Sequence, residues 1–331
     1  MSAADAKLVA DVLVNLFGAA GLLLVAHNMR HYGPRAPVVF RIRWALRLCA
    51  FLFFARAIAW GTTNGVLLGF INVIAAVMPI AALIVAEGLV RRHAPKGLKI
   101  GILAVSLITA LVVTVPGIPP VTANLFMLCA VVGGFAAVGY FLLCRQRDTL
   151  SDAENKAVSR VIVAMLLLVP LAATDFHSIW PDIPVRLGAL GMLLMVYIAF
   201  GPGNTIGRGW ERALSLIVFA VIAGVFAFGY VASGRSEDPG QLFRAAAVGI
   251  SGLIFAALFS ELLGARAERR KTADPILQAA TADEFVDRLK QHDLIGDARI
   301  LYAPDLKSLE HPDFTTLVAA HPVLRQADAP W

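Results

Sequence analysis

Charged residues are scarce in this chain. Only 16% of its 331 residues are Asp, Glu, Lys or Arg, whereas 58% are hydrophobic, and the mean hydropathy is +0.73. A soluble globular domain carries about 25% charged residues and about 45–50% apolar ones, and a single core of this size could not bury the excess apolar surface. The composition therefore excludes soluble folds, and nucleic-acid binding as the main role, and it predicts a polytopic membrane protein.

Signatures of catalysis and of cofactor binding are also missing. The chain contains no Walker A, HExxH or CxxC motif, and Cys49, Cys129 and Cys144 have neither metal-ligand spacing nor the pattern of a disulfide framework. Gly249-Ile-Ser-Gly252 matches the GxSG motif of rhomboid proteases, but no later membrane helix offers a histidine as the base. We therefore predict no catalytic residue, no metal site and no cofactor, and an enzyme is the least favoured class.

Hydrophobic runs of membrane-spanning length recur along the chain. A bilayer core of ~30 Å requires about 20 apolar residues in each helix. We predict an all-α polytopic membrane helix bundle of seven closely spaced helices followed by two more. The nine predicted spans cover approximately residues 8–27, 44–61, 66–90, 100–117, 122–144, 161–176, 185–201, 213–232 and 245–263.

The composition changes after the last predicted span. Ten of the 23 acidic residues lie from Thr272 onward, and Thr281-Ala-Asp-Glu284 has the pattern of a helix capping box. We predict three regions: a transmembrane bundle over residues 1–264, a basic juxtamembrane linker over 265–280, and a small cytoplasmic C-terminal region over 281–331. The last region is expected to be a small α+β tail.

Basic residues indicate the orientation of the bundle. Lys and Arg concentrate in alternate loops and in the segment after the last span, where 18 of them lie, against four on the other side. Lys and Arg accumulate on the cytoplasmic side of membrane proteins. The distribution predicts an N-terminus outside and a C-terminus inside. The expected localisation is a bacterial cytoplasmic (inner) membrane, where membrane lipids surround the bundle.

A group of polar and aromatic residues is expected at the outer side. Arg56 lies six residues from the outer end of the second span, which corresponds to a depth of ~9 Å at 1.5 Å per residue. Because ionisable groups inside a membrane are costly, they are candidates for function, and an Arg could hold a carboxylate or phosphate. An ion pair between Arg56 and Asp175 with a purely structural role is the alternative. The candidate ligand-binding residues are Arg56, Asn72, Asp175, His177, Trp60 and Trp180.

A second pair of charges is expected near the cytoplasmic side. Arg47 and Glu87 both lie about one turn from that face, on neighbouring predicted helices. We predict that they form a structural ion pair, or that their side chains extend toward the aqueous interface.

Four segments of the seven closely spaced helices and their loops carry a resemblance. They are Glu87-Gly-Leu-Val-Arg-Arg-His-Ala-Pro, Leu150-Ser-Asp-Ala-Glu-Asn-Lys, Thr174-Asp-Phe and Pro184-Val-Arg-Leu-Gly-Ala-Leu-Gly. With these segments, roughly residues 8–201 resemble the membrane sensor regions of bacterial signalling proteins. This is a resemblance of fold, which implies no particular activity. The last two helices are extra, and the tail lacks a kinase H-box, a GGDEF signature and a helix-turn-helix.

Three functions remain open at this stage. The first is a sensor or regulatory protein that binds a small ligand or lipid headgroup outside and signals to a cytoplasmic partner through its tail. The second is a structural subunit of a membrane complex. The third is a transporter or lipid-handling protein, although the middle of each predicted span is mostly Leu, Val, Ala and Ile.

Overall fold

The computed structural model describes residues 3–29, 37–62, 65–115, 117–200, 209–230, 232 and 240–277. Within these ranges the fold is all-α, with a short 3-10 helix at Arg147–Thr149 and no strand. The α-helices are α1 (Ala3–Asn28), α2 (Pro37–Thr62), α3 (Gly65–Val90), α4 (Lys96–Thr114), α5 (Pro120–Leu143), α6 (Asp152–Ala173), α7 (Gly188–Phe200), α8 (Gly209–Tyr230) and α9 (Gly240–Leu277).

Six of these helices are long and apolar enough to cross a membrane. They lie in α1, α3, α4, α5, α6 and α9. By contrast, α2 carries four arginines, α7 has 13 residues, and the apolar part of α8, Leu214–Gly229, is shorter than a full span. Each predicted span overlaps a helix, so the all-α prediction is confirmed for the described residues, while the count of nine crossings stays a prediction.

Several helices extend beyond their predicted spans. α6 begins at Asp152 because Ser151 and Glu154 form a reciprocal capping box, in which each side chain bonds the other residue's backbone N–H. α9 continues to Leu277, so the first part of the predicted linker, residues 265–280, is helical. The predicted α+β region, residues 281–331, lies outside the described residues.

Six helices close a ring. α1 packs on α2, α2 on α3, α3 on α5, α5 on α6, α6 on α7, and α7 returns to α1, while α4 packs against α3 and α5. The chain divides into two compact units, residues 1–262 and 263–331, and the ring belongs to the first. Its centre is the part of the fold on which the candidate site depends.

Small residues allow the closest helix contacts. A Cβ atom on Gly18 of α1 would approach the Cβ of Ala189 to 2.9 Å. A Cβ on Gly134 of α5 would lie 2.5 Å from the Cβ of Pro79, which is inside α3. Ordinary Cβ contacts are longer than either distance, so only glycine permits these approaches. This is the close packing that small residues provide between membrane helices.

Candidate functional site

Polar side chains gather at two opposite ends of the bundle. One end contains the start of α1, the end of α2 and the loop of residues 174–187, and we call it the Asp175 end. The other contains the end of α3 and the starts of α4 and α6, and we call it the Glu87 end. Contacts between residues far apart in the chain fix each end.

Arg56 and Asp175 form an ion pair at the Asp175 end. Nη1 of Arg56 lies 2.5 Å from Oδ2 of Asp175, and the two side chains are only 14% and 10% exposed. The other carboxylate oxygen, Oδ1, accepts the backbone N–H of Gly188 at 2.9 Å. Asp175 therefore holds Arg56 and also satisfies a donor at the start of α7, where a negative charge is favourable. A Cβ on Gly188 would collide with the same carboxylate, which explains the glycine.

A second ion pair at this end joins Asp11 to Arg186. Asp11 is 1% exposed. Its Oδ1 accepts the backbone N–H of Arg186 at 2.8 Å, and its Oδ2 accepts Nη1 of the same residue at 2.9 Å. The guanidinium of Arg186 lies over the ring of Trp60, 4.0 Å from its centroid, in cation–π geometry. Asp11 is not among the residues predicted from the sequence, although an acid inside an apolar span is itself a signal.

The loop of residues 174–187 is fixed to its surroundings at further points. The Thr174 hydroxyl accepts the N–H of Leu187 at 2.8 Å. Nζ of Lys7 donates to the carbonyl of Ile183 at 3.0 Å, and Nε of Arg244 donates to the carbonyl of Pro184 at 3.2 Å. Helices α1 and α9 are therefore both connected to this loop.

His177 lies in the same loop. Its Nε2 is buried and has no hydrogen-bond partner among the described residues. Burial, and to a lesser extent the positive charges of Arg186 and Lys7, lower the pKa of His177 to about 4. The imidazole is consequently neutral at pH 7.

The six predicted ligand residues have different surroundings. Arg56 and Asp175 are in direct contact, as the structural alternative required. Trp60 belongs to the Arg186 pair, Asn72 is half-buried on α3, and Trp180 is 40% exposed. An apolar cavity lies beside the Arg56–Asp175 pair, and its lining does not include Asn72, His177, Trp60 or Trp180.

An elongated apolar cavity of about 130 Å³ occupies the ring beside the Arg56–Asp175 pair. Residues of α2, α3, α5, α6 and α7 line it. Arg56 and Asp175 are the charged members of its lining, and the others are aliphatic, aromatic or sulfur-containing residues and one glycine. Along α2 the lining runs from Ile42 to Arg56, a length of about 21 Å at the helical rise. The cavity is therefore apolar along its length and charged at one end.

At the Glu87 end, the predicted pair of Arg47 and Glu87 is not formed. Oε1 of Glu87 lies 2.6 Å from Nζ of Lys99 and accepts the backbone N–H of Ala94 at 2.6 Å. Arg47 is exposed and lines a separate shallow groove with Phe255. The prediction located both charges at the correct end but did not identify the partner, because Lys99 is brought back by the turn after α3.

The segment that matches a rhomboid motif does not present a nucleophile. Ser251 is fully buried, and its hydroxyl donates to the carbonyl of Ala247, one turn earlier in α9. Gly252 lies beside the ring of Phe17. The motif serves helix packing in this fold. Among the described residues, no group of three or more His, Cys, Asp or Glu side chains could hold a metal ion.

The fold defines a multi-pass α-helical membrane protein with an internal cavity. A comparison with protein-family models finds no match for the chain, and comparisons with curated proteins and with solved structures find none either.

Proposed function

We propose that this protein is a membrane sensor or regulator whose ligand occupies the cavity inside the helix ring, with its polar group at Arg56. The observation that carries the proposal is the cavity itself, since it is apolar along its length and charged at one end. A mostly apolar pocket with a few convergent polar groups is the usual form of a ligand site. The ligand would contact five helices, so its presence would bear on their packing.

The lining argues against ion or sugar transport. A transport path for such solutes needs polar groups near the middle of the membrane, but the charged lining residues lie at one end only. A lipid-handling role needs fewer polar groups and is the second candidate, which the apolar lining favours. No described feature favours a purely structural subunit.

We also propose the predicted nine-helix topology, with the Asp175 end outside a bacterial inner membrane and the C-terminal tail inside, where a cytoplasmic partner would read it. The basic residues of the Glu87 end support this orientation. Cys144 and Ser178 are both exposed, at the Glu87 and Asp175 ends respectively. We expect a membrane-impermeant maleimide to label Ser178→Cys in intact cells, and Cys144 only after permeabilisation. Labelling of Cys144 in intact cells would reverse the orientation.

Ligand binding is tested by extracting the protein with its native lipids in polymer nanodiscs and identifying the retained small molecules by mass spectrometry. We expect one compound to be enriched with the wild-type protein and lost with Arg56→Leu. Arg47→Leu is the matched control, because it removes an exposed arginine of the same helix that is not part of the cavity. Equal retention by both variants, or no enriched compound, would contradict the proposal.

A regulatory role further requires that the ligand changes the structure. Spin labels on Cys144, directly after α5, and on Ser260→Cys in α9, both exposed sites, report the distance between the ends of two helices by pulsed electron paramagnetic resonance. Cys49 and Cys129 are first replaced by Ala. We expect this distance to differ between protein stripped of its ligand and protein that retains it. An unchanged distance would favour lipid handling over sensing.

A further inference from the structure

We propose that the ligand of the cavity is a single-chain amphiphile with a carboxylate headgroup, which competes with Asp175 for Arg56. This inference rests on the proposed function, because it takes the cavity as the ligand site. It adds the chemical class of the ligand and the contact that the ligand replaces.

The shape of the cavity indicates one hydrocarbon chain. Ile42, Cys49 and Arg56 are spaced by seven residues, so they lie on one face of α2, and all three line the cavity. A volume of about 130 Å³ distributed over a length of about 21 Å is narrow. Since a dry apolar cavity of about 150 Å³ holds a ring of six carbons, one longer chain enters this space only when flexible side chains of the lining move apart, and the two chains of a diacyl lipid are excluded.

The residues of the lining suit a flexible apolar ligand. Four of the seven methionines of the chain line this cavity: Met78, Met165, Met192 and Met195. Methionine is unbranched and polarisable, so it adapts to ligands of variable shape and is frequent at adaptable binding surfaces. The methionines lie among branched aliphatic residues of the lining, and they give this part of the bundle side chains that can move to admit a chain.

The charges at the end of the cavity indicate the headgroup. Both oxygens of the Asp175 carboxylate already accept a hydrogen bond, one from Arg56 and one from Gly188. Arg56 has five N–H donors, and among the described residues it uses one of them, on Asp175. The site therefore offers donors, and a carboxylate is the headgroup that an Arg can hold with two parallel bonds.

The competition is tested with two variants of the ion pair. Asp175→Asn removes the competing negative charge but keeps an oxygen that can accept the N–H of Gly188, whereas Arg56→Gln removes the cation. Native mass spectrometry of the purified full-length protein with added palmitate measures binding. We expect Asp175→Asn to strengthen palmitate binding, and Arg56→Gln to weaken it, each by about tenfold, which corresponds to about 1.4 kcal/mol.

The opposite signs are the decisive result. An ion pair that only supports the fold would give losses of the same sign in both variants, and that outcome would overturn the competition. Hexadecanol has the same chain with a neutral headgroup, so its binding should be weaker and insensitive to Asp175→Asn. Hexadecylamine has the same chain with a cationic headgroup, so its binding should also be weaker than that of palmitate and should not be strengthened by Asp175→Asn. Equal binding of all three compounds would overturn the carboxylate headgroup. Arg47→Gln should leave palmitate binding unchanged.

A photoreactive analogue of palmitate separates this inference from the proposed function. We expect it to cross-link cavity residues such as Met165 and Met192, and excess palmitate to prevent the reaction. Cross-links at lipid-facing residues alone would contradict the cavity as a ligand site. Cross-links in the cavity that hexadecanol prevents as well as palmitate does would leave the site but refute the carboxylate.

Discussion

The Asp11–Arg186 pair should contribute strongly to stability, and a double-mutant cycle can measure its contribution. Asp11 is 1% exposed, and both of its carboxylate oxygens accept a hydrogen bond from Arg186. Removing one partner of a buried pair costs about 3–5 kcal/mol because the other charge remains buried and uncompensated. For Asp11→Leu we expect the free energy of unfolding to fall by about 3 kcal/mol. This is the lower end of that range, because Arg186 keeps its cation–π contact with Trp60.

The other corners of the cycle follow from the same contacts. Arg186→Leu should lower the free energy of unfolding less than Asp11→Leu does. The unpaired Asp11 carboxylate keeps one backbone donor and can also take up a proton. The double variant should be more stable than the sum of the single losses by about 2 kcal/mol or more, since apolar replacement of a whole buried pair is often nearly neutral.

Reversible unfolding in SDS micelles gives the free energies of unfolding for the four proteins. Asp182→Leu is the control, because Asp182 is an exposed acid of the same loop, and such surface changes stay within about 0.5 kcal/mol. Single losses that add in the double variant to within about 0.5 kcal/mol would refute the reasoning, because independent residues do not share a buried pair.

Three further predictions concern packing, pH and the Glu87 end. Gly134→Ala should lower the free energy of unfolding by about 1–3 kcal/mol through overpacking against α3. Gly133→Ala should leave it unchanged, because a Cβ at that position meets nothing within 4 Å. Thermal unfolding of both variants tests this difference. The pKa of about 4 for His177 lies below its usual value near 6.5, so between these pH values the unfolded state binds more protons than the folded state. The free energy of unfolding should therefore fall as the pH is lowered from about 6.5 to about 4. This fall should be smaller in His177→Gln. Glu87→Ala should lower the melting temperature, whereas Arg47→Ala, which the sequence predicted to be its partner, should leave it unchanged.

The sequence was sufficient to predict the helices and the positions of charges along them. Hydropathy located every described α-helix, because apolar residues in a bilayer must form hydrogen-bonded helices whose length matches the membrane. Counting residues from a helix end then gave the position of Arg56 along α2, and the alternation of basic loops brought Asp175 to the same end. The Arg56–Asp175 contact follows from these two quantities.

The direction of a side chain around its helix axis was much harder to predict than its position along that axis. Arg47 and Arg56 are nine residues apart, which corresponds to a rotation of about 180° on a helix of 3.6 residues per turn, so the two arginines lie on opposite faces of α2. Since Arg56 lines the cavity, Arg47 is directed away from it and from α3. This spacing was visible in the sequence, but packing with the other helices decides which face of α2 turns inward. Packing also decides the pairing of Asp11 with Arg186, which are 175 residues apart.

The two ion pairs of the Asp175 end have different roles. The Asp11–Arg186 pair supports the fold, whereas the Arg56–Asp175 pair is available to a ligand. Three consecutive backbone N–H groups at the start of α7 are satisfied by side chains, that of Arg186 by Asp11, that of Leu187 by Thr174 and that of Gly188 by Asp175. Asp11 and Arg186 do not line the cavity, whereas Asp175 does. Loss of the Arg56–Asp175 contact therefore leaves the other attachments of α7 in place. A ligand at Arg56 can exchange that contact without unfolding the helix, and this is why Asp175→Asn should change ligand binding while Asp11→Leu changes stability.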